Sequence, residues 1–150
     1  MPPRPSEAPE CDLVFVYGTL RRGFELHHHL VRMRARCCGG GEVAGRLFDR
    51  GRYPGARPSS REDDWIRGEI CQLRQPARDL RILDEIEGCT PGAAEGGEFV
   101  RQTTDVVFDS GVRRRAWVYW LREGIATGQR IASGDYARWR RLAGHRHLPE

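Results

Sequence analysis

The chain has 150 residues, 39% of them hydrophobic, enough for one domain with a real core and too few for a second of ordinary size. The formal net charge is +4, but all 25 basic residues are arginine and, apart from Arg113-Arg114-Arg115 and the stretch 138–141, they are scattered among acids, a pattern that argues against nucleic acid as a partner. No apolar run approaches the roughly 18 residues that cross a bilayer and the first ten residues lack the apolar core of a secretory signal, so a cytoplasmic protein without a membrane partner is expected.

In chain order, residues 1–11 are proline-rich and polar, and are expected to form a disordered arm. Leu13-Val14-Phe15-Val16-Tyr17 is a continuous β-favouring run halted at Gly18, which reads as a buried strand entering a turn. Leucine, valine and methionine near helical spacing predict a short helix over 25–34. Gly39-Gly40-Gly41 should break the chain before a strand over 43–48, and Gly51-Arg52-Tyr53-Pro54-Gly55 then reads as a turn. Alternation predicts a half-buried strand over 65–73, with Trp65, Cys71 and Leu73 on one face.

Pro76 opens a helix that runs to Glu87, with Gly88 suited to the left-handed position just past its end. Strands over 99–108 and 112–121 flank Asp109-Ser110-Gly111 as a hairpin. A last helix over 136–142, capped by Ser133 or Asp135, is released at Gly144. The domain is thus expected over 12–143, with a tail over 144–150. Many strands, few helices and apolar residues on both faces of the hairpin predict a compact barrel-like sheet with helices packed outside.

On a helical wheel of roughly 100° per residue, Leu80, Leu83 and Ile86 mark the apolar side of the 76–87 helix, and Glu87 falls between Leu80 and Leu83. Glu85 points away and Asp84 sits on the border. A carboxylate aimed at the interior loses hydration, which raises its pKa above the usual value of about 4.3 and makes it a proton shuttle near neutrality. Glu87 is therefore the foremost catalytic candidate. In the turn after the first strand, Gly18 allows a sharp bend that brings successive N–H groups to bear on one point, a cradle for a carboxylate or an oxyanion.

The five cysteines are odd in number and contain no Cys-x-x-Cys pair, so neither a disulfide framework nor a zinc cage is indicated. His27-His28-His29 does not read as a metal site either, because consecutive helical positions face different directions and no second ligand cluster accompanies them.

Tyr17-Gly18-Thr19-Leu20-Arg21-Arg22-Gly23, Tyr53-Pro54-Gly55, Gly68-Glu69, Leu83-Asp84-Glu85-Ile86-Glu87-Gly88, Arg101, Trp117-Val118-Tyr119 and Ser133-Gly134-Asp135 together resemble, in order and in spacing, the gamma-glutamylcyclotransferase-like proteins. The resemblance spans roughly residues 14–136. It implies an α+β fold, a small mixed β-barrel surrounded by helices, and cyclisation of a gamma-glutamyl group to 5-oxoproline with release of an amine. It also implies that Tyr17, Gly18, Thr19 and Leu20 bind the glutamyl unit and that Glu87 is the acid/base. No metal or organic cofactor is called for, because the substrate carries its own nucleophile, the α-amine, and gains mainly from proximity.

The sequence departs from the family at Phe99-Val100-Arg101, where relatives commonly have Tyr-x-Arg. That departure leaves Tyr53 and Tyr119 as the candidate hydroxyls beside the substrate. The Gly-rich segment 89–97 follows the catalytic helix and is expected to lie over the site. Two other readings stand beside the cyclotransferase: a non-catalytic small-molecule binding module with the same fold, and a thiol hydrolase using Cys89 with one of the three histidines. The sequence carries no signal for oligomeric state or for the identity of the leaving amine.

Overall fold

A computed structural model describes residues 11–89 and 97–146 of the chain. The expected disordered arm lies, but for Cys11, outside these residues. The segment 90–96 and residues 147–150 also lie outside them.

Five strands close a mixed barrel. β1 (Leu13–Val16), β2 (Arg36–Asp49), β4 (Trp65–Gln72), β5 (Phe99–Phe108) and β6 (Arg113–Leu121) are joined in the order β2-β4-β1-β6-β5, and β5 returns to pair with β2. All the barrel pairings are antiparallel except β1 with β6, where Val14 is the partner of Trp117. β3 (Pro54–Pro58) and β7 (Gln129–Ile131) add to the far end of β2. Closure removes the unpaired strand edges that an open sheet would expose.

The barrel is buried on two faces, which explains the uninterrupted apolar sequence of β1. Phe15 and Tyr17 point into the barrel with Val43, Leu47, Ile66, Ile70, Val118 and Trp120. Val14 and Val16 point outward, into a second layer with Leu30 of α1 (His27–Arg32), Met33 just past its end, and Leu80 and Leu83 of α2 (Pro76–Glu87). α3 (Tyr136–Arg146) delivers Tyr136 to the interior core, where it is fully buried.

α2 has the predicted bounds. Pro76 sits in its first turn, the Asp79 carboxylate accepts the Gln75 N–H at 3.0 Å, and Gly88 ends the helix in the left-handed conformation at φ 69°. The 99–121 hairpin is also as predicted to within a residue, closed by the Gly111 N–H donating to the Phe108 carbonyl at 2.8 Å.

Elsewhere the structure corrects the expectations. The three glycines do not break the chain, for β2 runs through them from Arg36 to Asp49. A bulge between Cys37 and Gly39, with Gly39 at φ 130°, bends the strand so that it can pair with β4 on one side and β5 on the other. At Gly41 a Cβ would stand 2.7 Å from the Val107 carbonyl oxygen, so the missing side chain lets the strands meet. Pro54 and Gly55 begin β3 rather than completing a turn.

On β4 the inward residues are Ile66 and Ile70; Trp65 is exposed, and of the predicted face only Cys71 and Leu73 are buried, beneath the helices. The helix over 25–34 shortens to α1. α3 passes Gly144 and ends at Arg146, because one glycine inside a helix costs only about 1 kcal/mol against alanine and does not force an end. The stretch 144–146 thus belongs to a helix and not to a tail.

Candidate active site

The turn after β1 is fixed from two sides. The Arg21 N–H donates to the Gly18 carbonyl at 3.0 Å and the Leu26 N–H to the Thr19 carbonyl at 2.9 Å. Beneath it, the nearly buried Arg21 guanidinium bridges Glu69 of β4 (3.3 Å) and Asp135, the residue before α3 (2.9 Å), while the Arg22 N–H donates to Glu69 at 2.8 Å. Asp135 in turn accepts the N–H groups of Ala137 and Arg138 at the start of α3. Three separated motif pieces therefore form one cross-brace that sets the position of the turn.

Gly18 earns its place by close approach. Its φ is not positive, but a Cβ there would stand 2.5 Å from Cγ and 2.8 Å from Cδ of Pro54, the first residue of β3. Among the described residues, the N–H groups of Gly18, Thr19 and Leu20 find no hydrogen-bond acceptor. Buried backbone donors ordinarily have partners, so an unmatched run of them at a cavity wall is suited to a ligand oxygen.

The cavity holds about 350 Å³, and its lining includes all seven residues singled out from the sequence: Tyr17, Gly18, Thr19, Leu20, Tyr53, Glu87 and Tyr119. Glu87 reaches it from the last turn of α2. Leu80 and Leu83 are buried, Ile86 and Glu87 are half-buried and Glu85 is exposed, which is the order that helical periodicity predicts. Among the described residues no side chain or N–H group is hydrogen-bonded or ion-paired to the Glu87 carboxylate. Solvent reaches it through the cavity, while protein surrounds it otherwise. Loss of hydration alone pushes its pKa up to about 7 from an ordinary 4.5.

One turn earlier, Asp84 has the opposite environment. Arg101 of β5 grips it through Nε (2.7 Å) and Nη2 (3.2 Å), and the Tyr119 hydroxyl donates to it at 2.7 Å. The Arg101 guanidinium lies over the Trp117 ring, 4.3 Å from its centroid. Asp84 is thus a buried, neutralised anchor that fixes the end of α2 against β5 and β6.

The tyrosine protons are already committed. Tyr17 donates to the Tyr119 carbonyl at 2.6 Å, Tyr119 to Asp84, and Tyr53 to the Glu98 carboxylate, which Arg50 also holds at 3.2 Å. Burial raises the Tyr17 and Tyr119 hydroxyl pKa values, and the nearby Glu87 charge adds to both. Phe99 is buried in the cavity wall with its ring centroid 6.0 Å from that of Tyr53. The position where relatives commonly carry a tyrosine therefore offers an apolar surface.

Sequence reasoning missed Glu98, a further carboxylate in the cavity lining, which also includes the exposed Glu85 that the helical wheel turns away. Glu98 precedes β5 with no periodic pattern around it, and only the fold brings it to Tyr53. The three histidines have structural places: Nδ1 of His27 lies 3.0 Å from the Leu20 carbonyl, that of His28 lies 2.9 Å from the Glu25 carbonyl, and the rings of His28 and His29 lie tilted by 38° with centroids 4.0 Å apart. No group of three or more His, Cys, Asp or Glu able to hold a metal occurs among the described residues. Cys89 is buried and its thiol pKa is raised, chiefly by burial, which disfavours the thiolate that a cysteine hydrolase requires. The segment expected to cover the site lies, apart from Cys89 and Gly97, outside the described residues.

A family model described as gamma-glutamyl cyclotransferase, AIG2-like, matches residues 14–138. A protein of Methanocaldococcus jannaschii named "putative gamma-glutamylcyclotransferase" is 27% identical over 132 residues, covering 86% of this chain and 98% of its own length. Among solved structures, Bacillus subtilis YkqA superposes with a TM-score of 0.70 at 24% identity, over 91% of this chain and 43% of that one. An AIG2-like protein from Mus musculus does so with a TM-score of 0.62 at 24% identity, over 77% of this chain and 79% of that one. At such identities the structures speak for a shared fold, and the family assignment rests on the match across residues 14–138. The cavity formed by the 17–20 turn and the end of α2 is therefore that of a member of the gamma-glutamyl cyclotransferase, AIG2-like family.

Proposed function

We propose that the protein cyclises a gamma-glutamyl group to 5-oxoproline with release of an amine, and that Glu87 moves the proton. The observation that carries this reading is the meeting, in one cavity of about 350 Å³, of a carboxylate with a pKa near 7 and a run of backbone N–H groups, neither of which has a partner among the described residues.

The chemistry needs little else. A gamma-glutamyl amide folded in the cavity brings its α-amine to the side-chain carbonyl carbon, and enclosure supplies the proximity on which the rate depends. Glu87 takes a proton from the attacking amine as the five-membered ring closes, then delivers it to the departing nitrogen. A group titrating near 7 serves both directions at neutral pH. Negative charge on the carbonyl oxygen during attack calls for donors, and the tyrosine hydroxyls have given their protons to Tyr119, Asp84 and Glu98. Among the described residues, the N–H groups of Gly18, Thr19 and Leu20 are free to serve the oxyanion or the substrate carboxylate. Tyr17, Tyr53 and Tyr119 would then contribute walls and acceptor oxygens to the substrate site.

The test is a panel of gamma-glutamyl amines assayed for 5-oxoproline, each paired with its N-acetyl derivative. Release from at least one free amine and from none of the acetylated forms is expected, since acetylation blocks the nucleophile. Turnover of an acetylated substrate would contradict cyclisation. Calorimetric binding of the panel without any turnover would favour a binding module with this fold.

A further inference from the structure

Away from the cavity, two thiols meet across the barrel wall. Cys37 of β2 and Cys71 of β4 are directly paired in the antiparallel register, immediately before the bulge at Cys37 and Gly39. Their sulfurs lie 3.5 Å apart. Cys37 is exposed, whereas Cys71 is fully buried in the layer that also holds Leu73, Leu80 and Leu83. The remaining cysteines are placed differently: Cys38 is exposed with its thiol on the Arg36 carbonyl, Cys11 donates to the Arg115 carbonyl at 3.0 Å, and Cys89 is buried at the end of α2.

Sulfurs at this distance are in contact, and a covalent bond of about 2.0 Å requires an approach of roughly 1.5 Å. Side-chain rotation can supply part of it. The bulge supplies slack at Gly39, where a Cβ would meet nothing within 4 Å, two residues from the thiol that would have to move.

We propose that Cys37 and Cys71 form a modification site, a dithiol that a small-molecule disulfide converts into a cross-strand bridge. The Cys37 thiolate, reachable from solvent, attacks one sulfur of the external disulfide; a Cys37 mixed disulfide forms, and the first small thiolate leaves and is protonated. The Cys71 thiol then loses its proton to water and attacks Sγ of Cys37, expelling the second small thiol. Two protein thiols are oxidised, one external disulfide is reduced to two thiols, and atoms and electrons balance. The order is fixed by accessibility. Burial holds the Cys71 thiol pKa high and the neighbouring Cys37 adds to it, so conversion of Cys37 to a neutral mixed disulfide eases ionisation of Cys71 for the second step. The bridge would join residues 34 apart in sequence and tie β2 to β4 covalently.

The experiment uses the full chain carrying Cys38→Ser, which removes the exposed neighbour and leaves four of the five cysteines. Reduced protein is exposed to oxidised glutathione, quenched in acid and unfolded; free thiols are counted and peptides are mapped without reduction. The expected result is a fall from four thiols to two, a peptide pair linked through Cys37 and Cys71, and a rise in thermal midpoint of several degrees that a reductant reverses. Cys37→Ser in the same background, a surface change that leaves the core intact, should keep its remaining thiols and show no bridge. A persistent glutathione adduct on Cys37 with Cys71 still free would overturn the proposal. So would a bridge through Cys11 or Cys89, or the absence of any reaction.

Discussion

Asp84 and Glu87 lie one turn apart on α2, yet the fold treats them oppositely: Asp84 is held by Arg101 and Tyr119, and Glu87 by no described group. The first anchors the helix end; the second is left to titrate. That asymmetry is the physical basis on which Glu87 is proposed as the acid/base, and it leads to separate expectations for the two carboxylates.

For Glu87, stability and pH should be linked. Burial raises its pKa from 4.5 to about 7, so the folded state binds the proton more tightly than the unfolded state. Stability is fully present below about pH 4.5 and falls as pH rises through 7. Glu87→Gln lacks this loss. It should match the wild type near pH 4 and exceed it above pH 8 by an amount on the order of 3 kcal/mol, since each pK unit corresponds to about 1.4 kcal/mol. Urea unfolding at pH 4, 7 and 9 measures the difference, and a constant gap across pH would refute the raised pKa.

For Asp84, removal of the charge should cost stability at neutral pH. Asp84→Ala leaves Arg101, only 18% exposed, without its carboxylate, and a loss of about 3–5 kcal/mol is expected. Adding Arg101→Met should recover part of that loss, because the double variant buries no lone charge. Denaturant midpoints of the two singles and the double provide the cycle.

Gly18→Ala should damage the turn through Pro54. The new methyl would meet the proline ring at 2.5 Å, a rigid neighbour that cannot swing aside, at a cost of about 1–3 kcal/mol. Activity should fall with it, as the N–H groups shift. If close approach is the cause, Gly18→Ala combined with Pro54→Ala should be better folded and more active than Gly18→Ala alone.

Tyr53→Phe separates a hydroxyl that donates to substrate from one that does not. The Tyr53 proton goes to Glu98, so its removal should change kcat by less than about tenfold. Loss of a true oxyanion donor would cost about 100- to 1,000-fold. Steady-state kinetics distinguish the two.

Much of this was legible in the sequence where local rules act alone. The bounds of α2 follow from Pro76, Gly88 and the spacing of Leu80 and Leu83, and the same spacing turns Glu87 inward. The 99–121 hairpin follows from its turn residues and its β-branched and aromatic content. Local signals failed where a partner distant in sequence decides. Gly39-Gly40-Gly41 reads as a break until β4 and β5 are seen pressing on both sides of β2. Trp65 reads as buried because its parity matches Cys71, while the barrel instead takes Ile66 and Ile70.

β7 has three residues, too few for any periodicity. The Asp84–Arg101 pair and the brace of Arg21, Glu69 and Asp135 link residues up to 114 apart, and the resemblance supplied their members without their purpose. The tyrosines were found at the cavity, but no sequence pattern could say that their protons were already given away.

The central claim is that Glu87 carries the proton in a cyclisation, and the most direct measurement is 5-oxoproline release by Glu87→Gln beside the wild type, on a substrate the wild type turns over. Binding of 5-oxoproline by calorimetry serves as the control for an intact site. A fall in kcat of at least about 100-fold with binding retained is the predicted result. A folded Glu87→Gln protein that releases 5-oxoproline at the wild-type rate would contradict it.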